Sequence, residues 1–291
     1  MPRLLAAALA LLPLAAAADE GMWTYDGFPA AKVEQALGVK ITPAWLSHLQ
    51  ASTARLAGGC SASFVSSRGL VMTNHHCARG CIEQLSSAGR DLLKDGFLAR
   101  TEGEELRCPA VEVNQLLEIT DVTERVKKAT AGLDGKAYAD AQRAELGRIE
   151  QACQRDASLR CDVVSLYRGG RYALHTYRRF QDVRLVWAPE QLAAHFGGDP
   201  DNFNFPRWSL DASFLRVYDG GKPAAQRPWL RWSAAGAKEG AATFVAGNPG
   251  STSRQLTVAQ LEYLRDVLLP ERLLQLAETR GLVTEYQRRG P

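Results

Sequence analysis

The clearest pattern in the chain lies just after Ser61. Apolar Ala62, Phe64 and Val65 are followed by polar Ser67-Arg68-Gly69 and then by Leu70, Val71 and Met72. This predicts a strand, a tight reversal at the glycine, and a second strand ending at Asn74-His75-His76-Cys77. Val111 to Ile119 is rich in β-branched residues and predicts another strand. From Asp121 to about Gln154 the chain turns to Ala, Glu, Lys, Arg and Gln with apolar residues at helical intervals, which predicts helix. Cys161 to Arg168 and Arg171 to Val186 read as two strands joined at Gly169-Gly170 as a two-residue hairpin. Phe214 to Tyr218 and Ala242 to Ala246 add two short strands. Thr257 to Leu269 and Glu271 to Arg289 read as two helices separated by Pro270, with Leu261, Leu264, Leu268, Leu273 and Leu276 on one apolar face. The expected fold is therefore mainly β with helical additions. No repeat, low-complexity linker, P-loop or dinucleotide fingerprint interrupts it, and the glycine pairs are turn material.

Composition narrows the class. With 291 residues, 46% hydrophobic and 23% charged, the chain can bury a sizeable core and is not of disordered, collagenous or coiled-coil type. A net charge of +3, with basic residues scattered among acidic ones, provides no phosphate-binding stripe, so no nucleic-acid partner is expected. Arg3, the apolar run Leu4 to Leu14 and the alanines up to Ala18 have the three regions of a secretory signal, with cleavage after Ala18. That run is too short to span a bilayer, and no other segment is apolar enough to do so. The expected location is exported, periplasmic or extracellular. Six cysteines in an oxidising space suggest three disulfides, with fifteen possible pairings, of which locality favours Cys153 with Cys161. The competing use, a metal site at His75-His76-Cys77 and Cys81, matches no common zinc spacing, and no metal is expected.

The segments around Cys60-Ser61-Ala62-Ser63-Phe64-Val65 and Met72-Thr73-Asn74-His75-His76-Cys77 resemble the hairpin that presents the catalytic histidine of chymotrypsin-like serine peptidases. That resemblance implies that His76, directly before the cysteine, is the general base, and that Cys77 bonds back to Cys60, leaving Cys81 and Cys108 to each other. A bridge closing a loop of this size contributes about 3 kcal/mol and holds the base on a rigid platform. Such a base needs a carboxylate to hold its tautomer. Asp211 heads the apolar run Asp211-Ala212-Ser213-Phe214-Leu215-Arg216-Val217 and follows His76 in the His, Asp, Ser order of that fold. Taken alone, the histidines could simply be polar residues at a strand end, and Asp211 a strand or turn cap.

Further blocks make the resemblance specific. Gly21-Met22-Trp23, Gly69 through Cys77, Asp95-Gly96-Phe97, Phe196-Gly197-Gly198-Asp199-Pro200-Asp201-Asn202-Phe203 through Arg207, and Gly247-Asn248-Pro249-Gly250-Ser251-Thr252-Ser253-Arg254 look like the bacterial family that includes dipeptidyl-peptidases 7 and 11. The family implies exported serine exopeptidases that release dipeptides from free peptide N-termini, need no metal or organic cofactor, and form homodimers. It also implies a chymotrypsin-like β-barrel region over 19–255, with a helical insertion near 121–154, followed from 256 by the start of an inserted helical domain. Asn202 and Phe203 fall where the family holds the substrate's ammonium. Phe203 stands where tryptophan is usual, keeping a ring and losing the indole donor. A turn packed by Phe203 and Phe205 is the plainer use of that block.

The nucleophile is not evident in this sequence. In Gly247-Asn248-Pro249-Gly250-Ser251, Pro249 occupies the position of the attacking serine and offers neither a hydroxyl nor an oxyanion-hole N–H, so Ser251 and Ser253 are poor candidates. The expectation is a truncated serine dipeptidyl-peptidase whose nucleophile lies beyond residue 291, inactive by itself. A non-catalytic peptide-binding remnant and a trypsin-like endopeptidase are the alternatives.

Overall fold

A computed structural model describes residues 22–201, 204–226, 228–248, 250 and 256–290. The expected leader over residues 1–18 lies outside them. The body up to Asn248 and the segment from Pro249 onward are two separate compact units.

The body is built on one antiparallel sheet. Its strands are β1 (Thr53–Leu56), β2 (Ser61–Phe64), β3 (Leu70–Thr73), β4 (Phe97–Leu98), β5 (Leu106–Arg107), β6 (Val113–Asp121), β7 (Leu159–Leu166), β8 (Arg171–Phe180), β9 (Asp182–Ala188), β10 (Ser213–Asp219) and β11 (Lys222–Pro223). Neighbours run β4-β9-β10-β3-β2-β1-β6-β8-β7, with β5 against β9 and β11 against β10. Alternate residues of the central strands point inward, and Phe64, Val71, Val113, Val183, Leu185, Leu215 and Val217 make a fully buried core.

The β2–β3 hairpin forms where the pattern puts it. Its glycine is obligatory for two reasons. Gly69 has φ +64°, and a Cβ there would lie 2.8 Å from the Val217 carbonyl, so the turn packs directly on β10. The amide of Val217 donates to Gly69 O at 3.0 Å.

The body also contains the helices α1 (Ala30–Leu37), α2 (Pro43–Ser52), α3 (His75–Leu85), α4 (Leu92–Asp95), α5 (Thr123–Thr130) and α6 (Gly135–Cys153). The last two fill the stretch read as helix and bury Val126 and Ile149 against Val122 and Tyr172 in a second small core. Between them Glu145 accepts from Arg125 at 2.8 Å and from Arg148 at 2.5 Å.

Five sequence expectations need correction. The chain does not remain strand to Cys77: helix α3 begins at His75, because Ala78, Cys81 and Ile82 recur at helical spacing and bury one face. The stretch 171–186 is two strands broken at Gln181, β8 pairing with β6 and β7, and β9 with β10, β4 and β5. Its link to β7 is a turn over 167–170 in which Tyr167 and Arg168 also take positive φ, so it is not a two-residue hairpin. Ala242 to Ala246 is no strand, since no neighbour among the described residues pairs with it and Val245 is fully exposed. Finally, Pro270 does not interrupt the C-terminal helix. Helix runs continuously over 258–288, through a widened turn at Leu264–Leu268 in which Leu269 N–H reaches back to Leu264 O. That wider turn lets the helix carry a residue without an N–H.

All six cysteines are bonded, Cys60 to Cys77, Cys81 to Cys108 and Cys153 to Cys161. None of these sulfurs is a free thiolate for a metal. No helix among the described residues is long and apolar enough to cross a membrane.

Candidate active site

His76 and Asp211 are 135 residues apart, and the sheet explains why they meet. Strands β3 and β10 pair with Thr73 opposite Ser213. Continuing that antiparallel register two residues past the strand ends brings Asp211 opposite His75, beside the first turn of α3. There His76 Nδ1 lies 2.7 Å from Asp211 Oδ2, and the His76 backbone N–H donates to Oδ1 at 3.0 Å. The carboxylate thus grips one residue through two atoms, holding the ring in a fixed plane. It also sits on the N-terminal end of α3, where free N–H groups and the helix dipole favour negative charge.

Burial by itself would push the Asp211 carboxyl up. The hydrogen bonds from the His76 backbone and ring outweigh it and hold the group below the usual carboxylate range. The imidazole of His76 is 66% exposed and its partner 21%, so the carboxylate lies beneath and the ring faces outward. With Nδ1 bonded to a carboxylate, the neutral ring carries its proton there and presents the Nε2 lone pair to solvent. The Cys60–Cys77 bridge lies against the same ring, with Sγ of each cysteine and a ring nitrogen within 4.8 Å of one another.

The neighbouring histidine is different in kind. His75 is 2% exposed, and burial lowers its pKa, so it is neutral at physiological pH. Of the two histidines, only His76 can reach a bound molecule.

Sequence reasoning misses Asn74. Its Nδ2 donates to the Asp211 carbonyl at 3.0 Å and approaches Oδ2 at 3.4 Å, tying down both backbone and side chain of the acid. An asparagine directly before a helix is ordinarily its own cap. Here the Asn74 side chain makes no capping bond, and Asp211 takes over that task from across the sheet. The helix start at residue 75 is the signal that exposes this.

Ser61, at the head of β2, accepts the Asn248 N–H through Oγ at 2.6 Å, while its carbonyl accepts from Thr73 Oγ1. Those bonds bring the Gly247-Asn248 segment to the strand that follows Cys60. Asn202, Phe203, Ser251 and Ser253 lie outside the described residues.

Residues 18–291 match the Peptidase S46 family. An Asp/Glu-specific dipeptidyl-peptidase of Shewanella putrefaciens is 37% identical over 286 residues, covering 91% of this chain and 38% of that protein. A dipeptidyl-peptidase 7 of Porphyromonas endodontalis is 36% identical over 267 residues, covering 83% and 32%. The crystal structure of Porphyromonas endodontalis DPP11 superposes with a TM-score of 0.67 at 31% identity, covering 77% of this chain and 35% of that one. The same protein has also been crystallised in complex with the dipeptide Arg-Glu, and that structure superposes at 0.66. The chain therefore spans about a third of the length of these relatives. Family match, curated relatives and solved structures agree with the segment blocks in the sequence: the chain belongs to the peptidase S46 family.

Proposed function

We propose that this chain is the portion of an exported serine dipeptidyl-peptidase that carries the general base and its orienting acid. The observation that carries the reading is the 2.7 Å contact between His76 Nδ1 and Asp211 Oδ2, with the other ring edge open. In this reading the strands over 19–255 are a chymotrypsin-like first barrel and the start of a second, and the helix over 258–288 opens an inserted helical domain. The leader directs export, and three disulfides suit an oxidising compartment.

A serine supplied from outside these 291 residues attacks the second peptide carbonyl. His76 Nε2 removes the hydroxyl proton as the bond forms and returns it to the leaving amine when the tetrahedral intermediate collapses. Asp211 stays ionised and stabilises the imidazolium between those steps. Asn202 accepts from the substrate's N-terminal ammonium and Phe203 walls the site, so the register of cleavage is counted from the free end. No metal or organic cofactor is required, and the complete enzyme acts as a homodimer. In this reading the choice of side chain before the cut lies with the portion of the enzyme that also supplies the serine.

Two reporters test this, one with a free and one with an acetylated N-terminus, each offered to the complete peptidase and to the 291-residue chain. The expected result is release from the free reporter by the complete enzyme alone. Cleavage of the acetylated reporter would indicate an endopeptidase, and turnover by the 291-residue chain that vanishes on Ser251→Ala or Ser253→Ala would place the nucleophile here.

A further inference from the structure

Beside the disulfide that supports the base lies a cavity for which the proton relay has no use. It measures about 200 Å³ and opens between the turn after β1 and the exposed face of α3. Leu56 and Val111 wall it, and Cys60, Cys77 and Cys81 line it as members of two disulfides. The Glu112 carboxylate at its edge already accepts from Asn114 Nδ2 at 3.0 Å and from Arg160 Nη1 at 3.3 Å, so its charge is matched. Drug-sized ligands fill roughly 300–1,000 Å³, so this smaller space suits one apolar side chain.

Two glycines keep it open. Gly80 stands in the middle of the eleven-residue helix α3, where only proline is less favourable than glycine. Its φ is not positive, and a Cβ there would meet no atom within 4 Å among the described residues. Gly58, in the turn between β1 and β2, is the same on both counts. Gly69 is required by its φ and by the carbonyl above it, whereas neither backbone conformation nor packing requires Gly58 or Gly80. What they leave free is the cavity that both line.

The cavity also stands on the path of the leaving peptide. In the reading above, His76 Nε2 protonates the leaving amine, so the chain beyond the cut starts at this ring. The free end ahead of the cut belongs to the block that runs into Asp211 in sequence, which leaves the Cys60–Cys77 bridge as the surface for the departing chain. Both bridge sulfurs lie within 4.8 Å of a His76 ring nitrogen. Extended chain advances about 3.3 Å per residue, so a peptide crossing the bridge reaches the cavity at its second residue. We propose that this cavity is a subsite for the leaving peptide, taking an apolar side chain from the second residue beyond the cut, with Gly58 and Gly80 setting the size it admits. The inference rests on the dipeptidyl-peptidase reading, and its test tells the two apart.

The complete peptidase is offered hexapeptides with free N-termini that differ only in where a leucine replaces glycine. Leucine at residue four, the second beyond the cut, is expected to raise kcat/KM at least about tenfold over glycine, and leucine at residue six to leave it unchanged. Gly80→Leu fills the cavity from a helical position that favours leucine over glycine, and should bring the residue-four ratio to within about twofold of one. Gly58→Leu should do the same from the turn, and decides if circular dichroism shows the first variant unfolded. A ratio near one in the unsubstituted enzyme, an equal gain from leucine at residue six, or a ratio unchanged in a folded cavity-filled variant overturns the subsite. Failure to release the first dipeptide from any of the peptides overturns the dipeptidyl-peptidase reading, and this inference with it.

Discussion

Asp211→Asn is expected to lower kcat about 10⁴-fold in the complete peptidase while leaving the fold intact. The amide is nearly isosteric, but its NH₂ can turn toward His76 and donate to Nδ1. The ring then carries its proton on Nε2, where the serine needs a lone pair. Because that interaction matters in the transition state, kcat and kcat/KM should fall together with little change in KM. The same substitution separates two duties of the acid. In the native chain its carboxylate also caps α3, an arrangement typically worth about 1 kcal/mol. The folded-state pKa of Asp211 is depressed, so this contribution is complete at neutral pH and is lost as the pH falls through the folded value. Thermal unfolding of the native and asparagine chains should therefore differ near neutrality and converge in acid. A kcat loss of less than about tenfold would mean that Asp211 does not set the tautomer.

The largest effect on stability is expected far from the base. Glu105, with a side chain only 2% exposed, accepts from Arg216 Nε at 2.8 Å and from the Tyr218 hydroxyl at 2.8 Å. Arg216 also donates to the Arg68 carbonyl, and the Arg184 guanidinium stacks 3.7 Å from the centre of the Tyr218 ring. Burial and the Glu105 hydrogen bond push the Tyr218 hydroxyl up to about 12, so it stays a donor throughout the working range. Arg216→Met leaves a buried carboxylate without its cation and should cost about 3–5 kcal/mol. In a domain of this size that lowers Tm by on the order of 10 °C. Removing both charges, as Glu105→Leu with Arg216→Met, should recover most of the loss, because the desolvation cost goes with them. A double-mutant cycle by thermal unfolding measures this, and simple additivity of the two substitutions would refute the buried pairing.

How much of this can be read from residues depends on range. The β2–β3 hairpin is local: alternation, a polar reversal and a glycine suffice, and the structure adds only the reason Gly69 cannot be replaced. The helices over 123–153 are likewise written in composition and spacing. What escapes is set by contacts across the sheet. Val183 and Leu185 continue the apolar run of β8 in sequence, yet belong to a strand with different neighbours, and nothing near Gln181 marks the corner. Ala242 to Ala246 has the composition of a strand and lacks a partner, and a strand is defined by its partner. The pairing of β3 with β10, which joins His76 to Asp211, is equally non-local and is reached from sequence only through family resemblance. Asn74 stays hidden as long as the start of α3 is read as a strand end, because an asparagine in cap position then goes unrecognised.

In the proposed mechanism His76, held through Nδ1 by Asp211, takes the serine's proton. Steady-state turnover of an unblocked dipeptide reporter by the complete peptidase carrying His76→Gln tests it most directly, with folding checked by circular dichroism. A folded variant is expected to lose at least about 10⁴-fold in kcat. A folded variant that keeps native turnover would contradict it.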